Sequence, residues 1–359
     1  MDVDPGASLA SAADHFSPTR IHLDSASYGL APNVVTERLS TVVAAWAGGE
    51  ASPPDYDTAV ADSRQAYAKI VGCPVDWLAI ATPVSVATGH AAALLQPGDT
   101  VLVAEEDFTS VLFPFLAREG AREDGGVAVR QVPIDELLDH IDPSIDMVAV
   151  SAVQSADGYR LDLDALAATA RQADALTFVD ITQAAGWITV DAQRFDMTAA
   201  GLYKWLCCPR GTGFFSVAPH LWDRMAAIAP GWYAGPDPWT STYRAPFRQA
   251  DNARRYDLSP AWLCWEGAAP ALELLARAGP EAIGRHNIDL ANRFRAGLGL
   301  EPSNTAIVSV DLTDTQVDRL GALGVNFASR AGRSRFSFHL YTTAGEVDTA
   351  LDVINGGLA

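Results

Sequence analysis

The chain has 359 residues, room for one large domain or two ordinary ones, and its 49% hydrophobic and 19% charged residues are those of a globular protein. Forty-four acidic against 25 basic side chains leave a formal charge of −19, so nucleic acid and anionic membrane surfaces are excluded as expected partners by repulsion from their phosphates. Four irregularly spaced cysteines, Cys73, Cys207, Cys208 and Cys264, form no CxxC pair and supply neither a disulfide framework nor a zinc site.

The opening, MDVDPGASLASAADHF, has no basic n-region or apolar h-region, and no run of about 18 apolar residues occurs. A soluble cytoplasmic protein is expected. IHLDSASYGLAP reads as a short strand running into a turn. VVTERLSTVVAAWAGG has helical apolar spacing and stops at a glycine pair. WLAIATP is then a strand, SVATGHAAALL a helix, and TVLVAEE a strand entered through the turn PGD. DMVAVSAVQ, LTFVDIT and GTGFFSVA follow as strands, with the amphipathic DLDALAATARQAD between the first two. Short, nearly continuous apolar strands alternating with helices imply an α/β fold with a parallel or mixed sheet covered on both faces.

The last third differs. SPAWLCWEGAAPALELLARAG and IGRHNIDLANRFRAGL are helical, AIVSVDL and RFSFHLY are strands around the helix TQVDRLGAL, and EVDTALDVI is a final helix. This pattern predicts a large domain over 30–259 and a smaller α+β unit made of 1–29 and 260–359.

In GLYKWLCCPRGTGFF, Lys204 stands between Tyr203 and Trp205, an apolar setting for a cation. Ligands of open α/β sheets bind beyond the carboxyl ends of the strands, and the candidate polar residues cluster there. Asp180 ends LTFVD, with Gln183 three residues on; Ser155 ends DMVAVSAVQS; Ser85 begins a helix whose free N–H groups suit an anion. Each alone is unremarkable. A lone aspartate after a strand is usually a cap or turn former, a lone lysine beside aromatics a snorkelling surface residue, a lone serine an N-cap. Together they meet the needs of pyridoxal phosphate: an amine for the aldehyde, a carboxylate for the pyridine nitrogen, and donors for the phosphate.

With these motifs in view, the chain resembles the class V aminotransferase family of fold type I pyridoxal-phosphate enzymes, which includes cysteine desulfurases, kynureninase and isopenicillin N epimerase. The resemblance spans almost the whole chain, through IHLDSASYGLAP, PGDTVLVAEEDFTSVLFPF, VDITQAAG, GLYKWLCCPRGTGFF and RFSFHLYTTAGEVD. It implies pyridoxal 5′-phosphate as cofactor, Lys204 as the Schiff-base lysine and base, Asp180 on the pyridinium nitrogen, and Gln183 on the phenolic oxygen. It further implies Tyr203 and Ser85 on the phosphate, and Phe108 stacked on the ring. Ser259 would reach the phosphate of a partner subunit, implying a homodimer, and Arg335 would hold the substrate α-carboxylate through its planar fork.

Three departures bear on the reaction. Phe108 stands where many relatives have histidine, so it stacks without exchanging protons. Ser155 stands where desulfurases carry asparagine. The loop before RFSFHLY is short and cysteine-free, where desulfurases place their nucleophilic cysteine. Cys207 and Cys208 belong to a turn and read as packing residues. The expected function is Cα deprotonation of an α-amino acid, as an aminotransferase or a β-eliminating C–S type lyase and not a persulfide-forming desulfurase. An epimerase resembling isopenicillin N epimerase and a catalytically silent pyridoxal-phosphate-binding protein are the alternatives. The segment 231–257, with Trp232, Tyr233, Arg254 and Arg255, either lines the substrate pocket or forms a dimer contact.

Overall fold

The computed structural model describes residues 5–119 and 126–356. Seven strands form the large sheet: β1 (Leu78–Ile80), β2 (Thr100–Ala104), β3 (Ala128–Val132), β4 (Met147–Ser151), β5 (Leu176–Asp180), β6 (Met197–Gly201) and β7 (Gly213–Val217). Their spatial order is β1-β7-β6-β5-β4-β2-β3. The run from β6 to β3 is parallel, whereas β7 is antiparallel to both β6 and β1.

Strand side chains alternate between two separate cores. Leu102, Val148, Val150, Val179 and Phe214 join the cluster on one face, while Val101, Val103, Met147, Ala149, Phe178 and Phe215 join the other. Every residue of β4, β6 and β7 is buried, which explains why these strands read as continuous apolar runs. The helix Trp262–Ala278 lays Ala268, Ala271, Leu272 and Leu275 into the first cluster. A third cluster joins Leu23 to Leu290, Phe294, Val308, Phe336 and Val347, and it underlies a second, antiparallel sheet. That sheet has β10 (Arg333–Ser337) in the middle, flanked by β8 (Ile307–Val310) and β9 (Ala328–Arg330).

The opening segment departs from the strand expected there. His22 and Asp24 make only isolated bridges, to Asn326 and Ser337. The Leu23 amide donates to the Asn326 carbonyl at 2.8 Å, and the Ser337 amide donates to the Leu23 carbonyl at 2.8 Å. Both partners lie some three hundred residues away, where local pattern carries no signal. The following turn then crosses to the large sheet. The Gly29 amide donates to the Tyr203 carbonyl at 2.9 Å, and a Cβ at Gly29 would stand 2.0 Å from the Lys204 carbonyl oxygen. Only glycine permits this approach. The close crossing fixes Ser27 beside the loop that carries Lys204.

A buried ion pair braces the other side of the site. Asp257, fully buried, accepts from Arg64 Nη2 at 2.9 Å and from the Ile80 amide at 2.6 Å. It thereby ties the segment before Ser259 to β1. Gly29→Ala should force the crossing apart at a cost of about 1–3 kcal/mol, the usual penalty of overpacking. The check is urea unfolding together with retention of cofactor on gel filtration; a variant matching wild type in both would show the crossing to be dispensable.

Candidate active site

Strands β4, β5 and β6 end at Ser151, Asp180 and Gly201, and the helix Val84–Leu94 starts just after β1. Beyond these ends lies a cavity of about 440 Å³, lined among others by Thr82, Phe108, Ser155, Asp180, Gln183, Tyr203, Lys204 and Arg210. A larger groove of about 1100 Å³ sits at the opposite edge, where Asp146, Leu176 and Asp196 stand at the amino ends of the strands. Two of its acids are engaged by the backbone: Asp146 accepts from the Thr100 amide and Asp196 from the Thr177 amide, both at 2.7 Å. The carboxyl-end cavity is the candidate site by chemistry and by position.

Lys204 is buried, and burial is the main force on its amine, which sits below the ordinary lysine range at about 8. Asp180 pulls it back up; Arg335 and Arg330 push it further down. Burial in turn raises the Asp180 carboxyl to about 6, against its bonds with Thr182 and the charge of Lys204. The Thr182 amide donates to Asp180 Oδ1 at 2.8 Å. Lys204 Nζ stands 5.5 Å from the Phe108 ring centroid and 5.9 Å from that of Tyr203.

The amide of Gln183 is mostly spoken for. Its Nε2 donates to the Ala26 carbonyl at 2.9 Å, and its Oε1 accepts from Trp205 Nε1 at 2.7 Å. One Nε2 proton is left for the cavity. Ser85 is half-buried, second in its helix, and outside the cavity lining, although its neighbours Thr82, Pro83 and Val84 belong to it. Pro83 caps that helix without a side-chain bond; the Val86 amide donates to the Pro83 carbonyl at 2.9 Å, which leaves the Val84 and Ser85 amides without helical acceptors. Ser259 is exposed and does not line the cavity.

Arg335 is no surface cation; it is 1% exposed. Nη1 donates to the Ser155 carbonyl at 2.6 Å, while Nη2 donates to Ser27 Oγ at 2.6 Å and pairs with Asp24 at 3.1 Å. Its Nε is buried with no partner. Trp232, Tyr233, Arg254 and Arg255 lie outside the cavity lining. Arg254 and Arg255 spend their donors largely on backbone carbonyls, such as those of Pro236 and Ala250, and the Tyr233 hydroxyl donates to Asp57 at 2.9 Å.

Four residues that sequence reasoning passed over belong to this neighbourhood. Asp107, buried beside Phe108, accepts from Ser151 Oγ at 2.5 Å and from the Ser151 amide at 2.7 Å, with its carboxyl raised by burial. Arg210 stands 5.2 Å from the Tyr203 ring centroid and lines the cavity. Asp24 and Arg330 meet at Arg335 and Ser27. The one available signal was the acidic run Glu105, Glu106 and Asp107 between two apolar stretches; the others depend on contacts across the chain.

Comparison with known proteins now adds to this geometry. The family model Aminotransferase class-V matches residues 84–329. The chain belongs to the class V aminotransferase family. An uncharacterized aminotransferase, YcbU, of Bacillus subtilis is 29% identical over 81% of the chain and 82% of its own length. Kynureninase of Deinococcus radiodurans is 28% identical over 76% and 70%, and isopenicillin N epimerase of Streptomyces clavuligerus 25% over 94% and 96%. Among solved structures, the cystine C–S lyase C-DES, in complex with its product cysteine persulfide, superposes with a TM-score of 0.82 at 20% identity, covering 94% of this chain and 97% of that one. The cysteine desulfurase CsdA of Escherichia coli gives 0.82 at 19% identity, covering 100% and 99%. The shared fold is that of fold type I pyridoxal-phosphate enzymes.

As a member of the class V aminotransferase family, this protein is an enzyme whose cofactor is pyridoxal 5′-phosphate. The donor set suits that group. A buried amine of lowered basicity, a buried carboxylate with Oδ2 facing no backbone donor among the described residues, an open aromatic face and an uncapped helix start surround one cavity. Lys204 is one of only two lysines in the chain, the other being Lys69. Capture of the aldehyde needs the neutral amine. The rate at which cofactor-free protein takes up pyridoxal phosphate should rise with pH and level off above about pH 8, whereas an ordinary lysine would keep gaining past about pH 10. Stopped-flow absorbance decides between the two profiles.

Proposed function

We propose that the protein deprotonates the Cα of an α-amino acid at this site, as an aminotransferase or a β-eliminating lyase. The observation that carries the reading is the shared cavity of Lys204, Asp180 and Phe108, with the buried fork of Arg335 within electrostatic range of the lysine amine. Bound there, the cofactor would supply an aldehyde for the amino group and a ring that takes up the electron pair released at Cα. Lys204 would hold the cofactor covalently and then, freed by substrate, take the Cα proton. Asp180 would keep the pyridine nitrogen charged, and the remaining Gln183 proton would go to the phenolic oxygen. Tyr203, Ser85 and the free N–H groups of the helix start would take the phosphate, with Phe108 against the ring. Arg335 would offer its unpaired Nε edge to the α-carboxylate, held in place by Ser155, Ser27 and Asp24.

One-base chemistry fits the cavity better than two-base epimerisation. The titratable side chains lining it are Asp180, Tyr203, Lys204 and Arg210; arginine is a poor base, and burial raises the Tyr203 hydroxyl. Lys204 is therefore the base, and one amine suffices to carry a proton between two carbons. The likeness to isopenicillin N epimerase keeps epimerisation as the second reading. Persulfide formation is disfavoured. The β9–β10 hairpin turns at Ala331 and Gly332 without a cysteine. Cys207 and Cys208 are buried, with thiols pushed far above the reactive range, and Cys264 lies outside the cavity.

The working form would be a cytoplasmic homodimer. Supporting this are Ser259, exposed and outside this cavity's lining, and the exposed Tyr243 and Phe247 on the neighbouring loop. Among the described residues no helix is long and apolar enough to cross a membrane. The small unit would comprise 1–29 and 260–359, with the Trp262–Ala278 helix joining it to the large core.

The test is to load purified protein with pyridoxal phosphate, offer a panel of amino acids with an acceptor keto acid, and assay keto acid, ammonia and sulfide. Keto acid or ammonia release that vanishes in Lys204→Ala is expected; sulfide from cysteine with a persulfide on the protein would contradict the reading. Arg335→Ala should raise KM for the amino acid about tenfold or more, the scale of a lost charged hydrogen bond, while cofactor affinity changes little. A KM equal to wild type would remove Arg335 from substrate binding.

A further inference from the structure

The hairpin that carries Arg335 presents more positive charge than one carboxylate needs. Ala331 and Gly332 both have positive φ, 47° and 78°, which makes the tight two-residue turn that fits strand twist. Arg330 pairs directly across it with Arg333, and Arg335 lies two residues along, so all three arginines share one face of the hairpin. Like charges so placed repel unless anions intervene. Arg333 has Asp311 at 3.2 Å and Arg335 has Asp24 at 3.1 Å. Arg330 has no carboxylate within ion-pair distance among the described residues. Its Nη1 donates to the Ser329 carbonyl at 2.7 Å and its Nη2 to Ser27 Oγ at 3.0 Å, the same hydroxyl that Arg335 uses at 2.6 Å. The charge of Arg330 is felt at Lys204, as is that of Arg335. What sets Arg330 apart is its place: a tight turn and a serine shared with Arg335 hold its guanidinium beside the site with no carboxylate partner among the described residues.

We propose that Arg330 is a specificity residue that binds a second anionic group, so that the substrate is a short acidic amino acid with its α-carboxylate on Arg335 and its side-chain carboxylate on Arg330. This rests on the amino-acid reading of the site and narrows its substrate class. Because both guanidinium groups reach one hydroxyl, the two anionic groups must lie close together, as in four- or five-carbon diacids. Ser27 sets the spacing between the two arginines, and Asp24 neutralises only the inner one.

The experiment compares kcat/KM of the holoenzyme for aspartate and glutamate with that for asparagine and glutamine, which match them in shape but lack the charge. The acids should be favoured about tenfold or more in the wild type, the worth of one charge-assisted hydrogen bond. In Arg330→Gln the acid-to-amide ratio should fall to about one. Calorimetry supplies a readout independent of turnover: glutarate should bind the holoenzyme more tightly than its monoamide, and Arg330→Gln should erase that difference. Arg330 is exposed, and circular dichroism checks that the variant folds. If amides react as well as acids in the wild type, or the ratio survives in Arg330→Gln, the inference is overturned while the amino-acid reading stands. If no amino acid reacts but glutarate still binds through Arg330, the amino-acid reading fails and dianion recognition stands. If glutarate shows no preference either, both fall.

Discussion

One buried amine organises this protein. Lys204 loses hydration at the carboxyl end of the large sheet, and desolvation outweighs the attraction of Asp180 in setting its basicity. The same burial acts in reverse on Asp180, so the two groups are drawn toward each other in proton affinity. A cavity that makes an amine easier to deprotonate and keeps a carboxylate close by is prepared for an aldehyde cofactor with a basic ring nitrogen.

The structure achieves this by crossing distant segments over one point. Gly29 lets the opening turn touch the Lys204 carbonyl, which carries Ser27 and Asp24 to the site. The small sheet brings Arg335 to both of these residues and Arg330 to Ser27. Asp257, with Arg64 and the Ile80 amide, anchors the far wall. In the proposed reading, substrate recognition would depend on the small unit and covalent chemistry on the large one.

Much of this was legible in the sequence because it is local. Strand runs such as LTFVD and helices such as DLDALAATARQAD show their periodicity within a dozen residues, and Asp180 is the last residue of its strand, whereas Ser155 and Lys204 lie in the turns beyond theirs. What was not legible depends on contacts at long range. The opening segment looked like a strand but has only isolated bridges, because its partners are Asn326 and Ser337. The burial of Arg335 was hidden because its acid, Asp24, lies at the other end of the chain. The family resemblance implies Gln183 as a cofactor ligand, and the structure commits most of its amide to Ala26 and Trp205. Arg330 gave no signal at all; its meaning comes from the hairpin register and a shared serine.

The account stands or falls on which amine holds the cofactor. Borohydride reduction of the holoprotein, followed by peptide mass mapping, reads this directly, since the chain offers only Lys69 and Lys204 besides its terminus. The pyridoxyl group is expected on the Lys204 peptide alone, in stoichiometric amount. A label on Lys69 or on the terminus, or no label on Lys204, would contradict the site described above.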